Sequence, residues 1–329
     1  MKELDATAEM LAAEVLVAEK RIRPHIRQTP LERSPCLSDL ADADVYLKLE
    51  SAQITGSFKL RGAMNKMLSL SEEQRQKGVL TASSGNHGAA CAYLMTHFGI
   101  RGTIYLPESV APAKLEAIRS YGADTELVPG DGIEAEKLAR KLADERDQVY
   151  ISPYNDPLIV AGQGTIGLEL RRQLESLDAV LIPVGGGGLA AGIAGYLRSV
   201  DSGVNIIGCQ PENSRVMYES VRAGKVLDLE SQPTLADGTA GGVDMDSITF
   251  PMCRDLIDEW ELLSEDEIAG AILLALDKQH VLIEGAAAMP IAALVRNPER
   301  FAGQTVVLVV SGAKLGIGTL RELLARSSA

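Results

Sequence analysis

A run of four glycines at positions 185–188 follows the apolar segment 179–184 and opens a helical pattern. Consecutive glycines let the backbone fold closely around an anion, and each supplies an N–H donor with no side chain in the way. The amino end of the following helix adds roughly half a positive charge. A phosphate group is therefore the expected ligand of this loop.

The same loop also fits the dinucleotide-binding pattern G-x-G-x-x-[GA], read as Gly185, Gly187 and Ala190. Glu212 follows about 20 residues later, where that pattern places an acid. A nicotinamide-dependent oxidoreductase is therefore an alternative. Four successive glycines exceed what the pattern needs, and the loop comes after several strand–helix units rather than the first. Both observations weigh against that alternative.

Lys59 stands in the segment T-G-S-F-K-L-R-G-A, at the predicted start of a helix that Ser57 is expected to cap. A lysine near a helix amino terminus opposes the helix dipole, which disfavours the charged amine and lowers its pKa. Schiff-base chemistry requires a neutral amine. Lys59 is therefore a candidate for that chemistry, with a solvated surface lysine as the simpler alternative.

A third cluster, S-S-G-N-H-G, lies between a predicted strand at 78–82 and the next predicted helix. It supplies hydroxyl, amide, imidazole and backbone N–H groups from Ser83, Ser84, Asn86 and His87. These groups suit a carboxylate or an oxyanion. A serine hydrolase is disfavoured because the G-x-S-x-G elbow does not occur in the sequence.

Alternating strands and helices must position these clusters. Short β-branched or apolar runs occur at 45–49, 78–82, 103–106, 125–128, 149–151, 179–184, 205–210 and 305–310. Stretches of 3.6-residue periodicity predict helices at 113–121, 133–146, 158–177 and 265–280. The alternation predicts an α/β protein with two open, mostly parallel sheets. Ligands bind such sheets at the carboxyl ends of the strands, where the clusters lie.

The 329 residues predict two domains, at about 150 residues each. Because no linker divides the chain, one domain is expected as an insertion: a large domain from 1–62 and 151–329, and a small domain from 63–150. A net charge of −13 and an aromatic content of 4% argue against nucleic-acid binding. Without a membrane-spanning apolar run or a signal peptide, a cytoplasmic protein is expected.

The motifs S-F-K-x-R-G, S-S-G-N-H-G and G-G-G-G-L, in this order and spacing, resemble the pyridoxal-phosphate enzymes of the tryptophan-synthase-β fold. Within that fold they are most similar to the threonine/serine dehydratase and serine racemase group. The similarity extends from R-x-T-P-L at Arg27 to Ser311. It implies a cofactor in the cleft between two α/β domains, a small amino-acid substrate and a homo-oligomer.

The resemblance also implies residue roles. Lys59 would hold pyridoxal phosphate as a Schiff base and then act as the base at Cα of the substrate. Asn86 would bond to the cofactor's ring oxygen, and Ser311 would meet the pyridine nitrogen. Further cofactor contacts are implied for Phe58, Glu284, Gly185, Gly186, Gly187, Gly188 and Leu189. Contacts with the substrate carboxylate are implied for Ser83, Ser84, Asn86 and His87.

The implied reaction is β-elimination of water from a β-hydroxy amino acid such as threonine or serine, giving a 2-oxo acid and ammonia. Ser84 leaves a racemase open, because racemases of the group carry serine there whereas many threonine dehydratases carry alanine. Dehydratases of 3-hydroxyaspartate and of hydroxyectoine breakdown share the D-G-T-A-G-G segment at 237–242 and are further alternatives, as is a binding protein without turnover. Glu212 matches a carboxylate that some members use to hold a divalent cation. The short segment after Ser311 favours a catabolic enzyme.

Overall fold

The computed structural model describes residues 2–327 of the chain, and side chains within 9–326. Within that span the strands are β1 (Leu31–Arg33), β2 (Asp44–Leu49), β3 (Val79–Ala82), β4 (Gly102–Pro107), β5 (Asp124–Val128), β6 (Val149–Tyr150), β7 (Ala179–Pro183), β8 (Asn205–Pro211), β9 (Glu259–Leu263) and β10 (Thr305–Val310). Every predicted strand is present, which confirms the strand pattern. The short β1 and the strand β9 were not predicted.

The α-helices of the same span are α1 (Lys2–Ile22), α2 (Pro35–Ala41), α3 (Lys59–Leu68), α4 (Glu72–Lys77), α5 (Asn86–Phe98), α6 (Pro112–Arg119), α7 (Gly132–Glu145), α8 (Pro157–Gln173), α9 (Gly188–Val200), α10 (Val216–Ala223), α11 (Thr249–Leu256), α12 (Glu265–Lys278), α13 (Gly285–Arg296) and α14 (Ile317–Ser327). The four helices predicted from periodicity correspond to α6, α7, α8 and α12. Each of these helices is too short or too polar to cross a membrane.

Two sheets organise the described residues. The larger sheet has the strand order β1-β2-β10-β7-β8-β9, and all of its pairs are parallel except β1 with β2. The smaller sheet has the order β5-β4-β3-β6 and is entirely parallel. The predicted α/β class with mostly parallel sheets is confirmed. The strands of the smaller sheet all lie within 79–150, while the exact domain boundaries at 62/63 and 150/151 stay a prediction.

Strand β10 shows why the larger sheet is covered on both faces. Side chains of a strand point alternately to opposite faces. Val306, Leu308 and Val310 pack into the apolar cluster formed with α12 and α13, whereas Val307 and Val309 pack into the cluster on the opposite face with α9. A continuous run of apolar residues is therefore what a doubly covered central strand requires.

The smaller sheet is covered in the same way. On one face, Ala135, Ala139 and Ala143 of α7 pack against Leu80 and Tyr105. These alanines recur every four residues, so they form one stripe along the helix, and their small size lets α7 approach the sheet closely. The opposite face packs against α3 and α5.

Helix α3 packs at backbone distance against α8. A Cβ atom added to Gly162 would lie 2.6 Å from Cα of Gly62, so neither position has space for a side chain. The N-cap residue of α3 is Phe58, which provides no side-chain cap. The prediction that Ser57 caps this helix is wrong. Ser57 instead lies opposite Gly312 in an antiparallel bridge, whose hydrogen bonds are made by the flanking residues: Phe58 N–H donates to Ser311, and Ala313 N–H donates to Gly56.

A buried network of charges holds the first turn of α3. The Arg61 side chain donates to Glu50 from Nε at 2.8 Å and to Glu169 from Nη1 at 2.8 Å. The Lys48 ammonium forms a second ion pair with Glu169 and donates to the carbonyl oxygen of Thr29 at 3.0 Å. Burial opposes ionisation of Glu169, but Arg61 and Lys48 outweigh it and lower the pKa of Glu169 to about 2. The network links β2, α3 and α8 through Arg61, two residues after Lys59.

Candidate active site

The three motif clusters meet where strands of both sheets end. Ser83 and Ser84 follow β3, the glycine loop follows β7, and Ser311 follows β10. Lys59 begins α3, close to the last of these. Parallel strands place their carboxyl ends at the same sheet edge, which is where open α/β proteins bind their ligands.

Lys59 is half-buried, and its ammonium donates to the carbonyl oxygen of Pro153 at 2.9 Å. The same nitrogen lies 5.1 Å from the centre of the Phe58 ring. Burial lowers the pKa of Lys59 to about 8, although the negative charge of Glu284 opposes this shift. A substantial fraction of neutral amine is therefore present just above neutral pH, as nucleophilic or basic chemistry requires.

Two chain segments pair beside Lys59. The Phe58 amide donates to the carbonyl oxygen of Ser311 at 3.1 Å, and the Ala313 amide donates to Gly56 at 3.0 Å. Ser311 itself is almost fully buried. These bonds fix the residue before Lys59 to the end of β10, so the structure brings Phe58, Lys59 and Ser311 together.

Asn86 and Glu284 meet across the site. The Asn86 amide nitrogen lies 2.9 Å from each carboxylate oxygen of Glu284, and the backbone amide of Lys314 donates to the same carboxylate at 3.1 Å. Burial raises the pKa of Glu284, while the Asn86 amide opposes that shift. The Asn86 side-chain oxygen is buried without a partner among the described residues. It is therefore an acceptor available to a ligand.

The S-S-G-N-H-G turn leads from β3 into α5. Ser83 and Ser84 are half-buried, and the Ser83 hydroxyl accepts from the Gly85 amide at 3.2 Å. A Cβ atom at Gly88 would lie 2.0 Å from the Ser83 carbonyl oxygen, so the tightness of this turn requires glycine. The fifth residue of the motif, His87, is buried, unlike the two serines.

The His87 ring is buried, and its Nε2 lies 3.0 Å from the Ile151 carbonyl oxygen and 3.5 Å from the Cys91 sulfur. Burial lowers the pKa of His87 to about 3, and the positive charge of Lys59 contributes to the shift. The ring is therefore neutral at physiological pH. Its Nε2 is used by the protein backbone, and the predicted contact between His87 and a substrate carboxylate stays a prediction.

The glycine loop is enclosed on several sides. Added Cβ atoms would lie 3.0 Å from Thr239 Cα at Gly185, 2.5 Å from the Tyr154 ring at Gly186, and 2.7 Å from the Cys253 sulfur at Gly187. Gly187 also has a φ angle of 87°, which favours glycine. The loop is thus a backbone cradle with no space for side chains of its own. Gly188 opens α9, and Leu189 is buried behind it.

Pro153 and Tyr154 connect the glycine loop to Lys59, and the sequence reasoning missed them. The Pro153 carbonyl oxygen accepts a hydrogen bond from the Lys59 ammonium, and the Tyr154 ring packs against Gly186 of the glycine loop. A signal was available, because the polar segment S-P-Y-N-D begins two residues after the end of β6, much as the other clusters follow their strands. These two residues therefore place Lys59 next to the glycine loop.

Glu212 lies apart from this arrangement. It is exposed in a short turn after β8 and lines a surface cavity of about 450 Å³ together with Glu219 and Glu230. Across the described span, His, Cys, Asp and Glu side chains do not gather in groups of three that could hold a metal ion. The role of Glu212 at a divalent cation stays a prediction.

A profile of the family described as "Pyridoxal-phosphate dependent enzyme" matches residues 22–312. The chain belongs to this family. Membership confirms the predicted cofactor and the prediction that the protein is an enzyme, and it decides against the nicotinamide alternative. The residues fit pyridoxal phosphate on independent grounds: a lysine of lowered pKa, an enclosed backbone cradle, and unpartnered buried oxygens of Asn86 and, among the described side chains, Ser57.

Curated relatives from this family match most of the chain. "L-threonine ammonia-lyase" of Geobacter sulfurreducens is 40% identical over 313 residues, which cover 94% of this chain and 77% of the relative. "L-threonine dehydratase catabolic TdcB" of Staphylococcus aureus is 40% identical over 304 residues, which cover 91% and 88% of the two chains. The resemblance to the threonine/serine dehydratase group is therefore confirmed.

Solved structures of the family share the whole fold. The processed form of threonine deaminase isoform 2 from Solanum lycopersicum superposes with a TM-score of 0.92 at 33% identity, covering 98% of this chain and 94% of that one. Maize serine racemase superposes with a TM-score of 0.88 at 29% identity, covering 96% and 97%. The predicted tryptophan-synthase-β-like fold is confirmed by these pyridoxal-phosphate enzymes.

Proposed function

We propose that the protein is a pyridoxal-phosphate-dependent ammonia-lyase that removes water from a small β-hydroxy amino acid, with threonine as the first substrate to test. The observation that carries the proposal is Lys59, an amine of lowered pKa placed between the glycine cradle and the Asn86–Glu284 pair. The names of the curated relatives support the reaction class.

Within this proposal each residue has a defined task. Backbone N–H groups of 185–188 bind the cofactor phosphate at the amino end of α9, and Lys59 binds the cofactor covalently. Asn86 and Ser311 would hold its ring through their polar side chains. When bound, pyridoxal phosphate takes up the electrons released as the substrate's Cα–H bond breaks.

Lys59, released as a free amine when the substrate's amino group takes its place, would act as the base that removes the Cα proton. The resulting Lys59 ammonium would then supply the proton with which the β-hydroxyl leaves as water. The enamine or imine product hydrolyses to a 2-oxo acid and ammonia. Ser311 would influence which reaction follows, because a neutral hydroxyl beside the pyridine nitrogen stabilises the protonated ring less than a carboxylate does. A weaker electron sink favours prompt loss of the hydroxyl over accumulation of negative charge at Cα.

A racemase is the second candidate, and Ser84 is the observation that favours it. Ser84 is half-buried at the turn beside Asn86, and a hydroxyl there could exchange a proton on the face of Cα opposite Lys59. Several solved relatives carry the name serine racemase or aspartate racemase. Replacing Ser84 with alanine should abolish racemisation while leaving elimination by Lys59 in place.

The deciding experiment fixes the cofactor and then assays turnover. Borohydride should attach pyridoxal phosphate to the Lys59 peptide, and Lys59→Ala should lose ammonia release, while the exposed Lys77→Ala serves as the matched control. Both enantiomers of threonine, serine and 3-hydroxyaspartate form the substrate panel. Normal ammonia release by Lys59→Ala, or a protein that binds no pyridoxal phosphate, would refute the proposal. Sedimentation analysis tests the predicted homo-oligomer.

A further inference from the structure

Two aspartates delimit the loop 237–244, which lies between β8 and β9. The Asp237 carboxylate accepts from the Lys114 ammonium of α6 at 2.9 Å, and the Asp244 carboxylate accepts from Arg140 of α7 at 2.9 Å. Helices α6 and α7 belong to the layers around the smaller sheet. Both ion pairs therefore join that part of the molecule to a loop of the larger sheet.

Asp244 has further partners on the side of the larger sheet. Its carboxylate oxygen also accepts from the Asn155 side-chain amide at 2.9 Å, and its backbone amide donates to the Tyr154 hydroxyl at 2.7 Å. On the other side, the Glu136 carboxylate holds the Arg140 guanidinium at 2.7 Å. Arg140 is thus held by Glu136 on α7, and Asp244 is held by Asn155 and Tyr154.

Tyr154 and Asn155 extend this contact to the glycine loop. The Tyr154 ring occupies the space next to Gly186, where a Cβ atom would lie 2.5 Å from the ring. The Asn155 side-chain oxygen accepts from the Ile248 amide at 3.0 Å, next to Thr249, whose hydroxyl donates to the Gly186 carbonyl. A continuous set of contacts therefore runs from α7 to the expected phosphate cradle.

We propose that Asp244 is a positioning residue that couples the Arg140 side chain of α7 to the shape of the glycine loop. The inference rests on the proposed assignment of that loop to the cofactor phosphate. With Arg140 paired, Asp244 holds its backbone amide under the Tyr154 hydroxyl and keeps the ring against the loop. Without the pair, this constraint is lost, and the loop binds phosphate less well. The pyridine end of the cofactor, held by other residues, is unaffected.

The test measures binding to protein freed of cofactor with hydroxylamine. Pyridoxal phosphate and pyridoxal, which lacks the phosphate, are titrated by visible absorbance into wild type, Arg140→Gln, Arg140→Lys and Lys137→Gln. Lys137 is the matched control because it lies on the same helix and forms an exposed ion pair with Glu134. Arg140→Gln should weaken pyridoxal phosphate binding about five-fold, the lower end of typical coupling between sites, and leave pyridoxal binding unchanged. Arg140→Lys should retain most of the affinity, and Lys137→Gln all of it.

Asp244→Asn should show the same loss confined to pyridoxal phosphate, with circular dichroism reporting the fold. Arg140→Gln or Asp244→Asn binding pyridoxal phosphate as tightly as wild type overturns the coupling and leaves the proposed site standing. An equal loss of affinity for pyridoxal phosphate and for pyridoxal also overturns the coupling, since it would show that the whole binding site is disturbed and not the phosphate loop alone. A wild-type protein that fails to bind pyridoxal phosphate overturns the proposed site and the coupling together.

Discussion

Replacing Arg61 with methionine removes the central cation of the buried charge network in the first turn of α3. The Arg61 guanidinium is fully buried and contacts Glu50 twice at 2.8 Å and Glu169 at 2.8 and 2.9 Å. Methionine fills similar space without charge. In this variant Glu169 still has an ion pair with Lys48. Glu50, by contrast, retains a neutral partner, the Thr29 hydroxyl, which donates a hydrogen bond to it. The buried carboxylate of Glu50 is therefore left without its cation.

The magnitude follows from burial and chain length. Removing one partner of a buried ion pair costs about 3–5 kcal/mol, because the remaining charge stays out of water. Unfolding entropy of about 2.1 cal/mol/K per residue gives about 0.7 kcal/mol/K for 329 residues. The melting temperature of Arg61→Met should therefore fall by about 4–7 °C.

Differential scanning calorimetry at neutral pH measures this change. Arg33→Met is the matched control, because Arg33 pairs with Asp44 at 2.8 Å on the surface, where both side chains are about half exposed. An exposed pair contributes little, so this variant should melt within about 1 °C of wild type. Adding Glu50→Gln to Arg61→Met should restore part of the loss, since it removes the uncompensated charge. Arg61→Met melting as close to wild type as Arg33→Met would refute the reasoning.

Further predictions concern the site itself. Gly186→Ala should weaken pyridoxal phosphate binding about ten-fold, because its Cβ atom would lie 2.5 Å from the Tyr154 ring; an unchanged Kd in an absorbance titration contradicts this. In cofactor-free protein, acylation of Lys59 followed by peptide mapping should rise with pH around a midpoint of about 8, because burial lowers its pKa and the neutral amine reacts; a midpoint near the ordinary 10.5 contradicts it. Glu284→Gln should move that midpoint to lower pH, because it removes a negative charge that favours the Lys59 ammonium; a shift to higher pH is the contrary result.

Local patterns predicted the larger strands and the main helices because each carries its own signal. The fully apolar run of β10 is readable as a strand covered on both faces, and the glycines of 185–188 are readable as a cradle. Strand β1 has only three residues, and β9, at a sheet edge, carries two glutamates in five residues, a residue type that is depleted in strands. Neither gives a pattern that stands out from a loop.

Contacts between residues that are far apart along the chain could not be predicted from local sequence patterns. Arg61 and Glu169 are separated by 108 residues, and Arg140 and Asp244 by 104, so no local spacing relates them. Local chemistry predicts Ser57 as the N-cap of α3, but Ser57 pairs instead with Gly312, which lies 255 residues further along the chain. Local sequence thus predicts candidate site residues, whereas the residues that hold them in place are determined by tertiary structure.

The position of β10 has a consequence for how the protein is made. It is the last strand along the described chain, yet it lies between β2 and β7, near the centre of the larger sheet. During synthesis, β2 therefore lacks its parallel partner until residues 305–310 have been made, while the strands of the smaller sheet can pair earlier. During that interval the unpaired edge of β2 can pair with other chains, so this is when a chaperone would best prevent aggregation. The hydrogen bond from Phe58 to Ser311, beside Lys59, can therefore form only after β10 emerges from the ribosome.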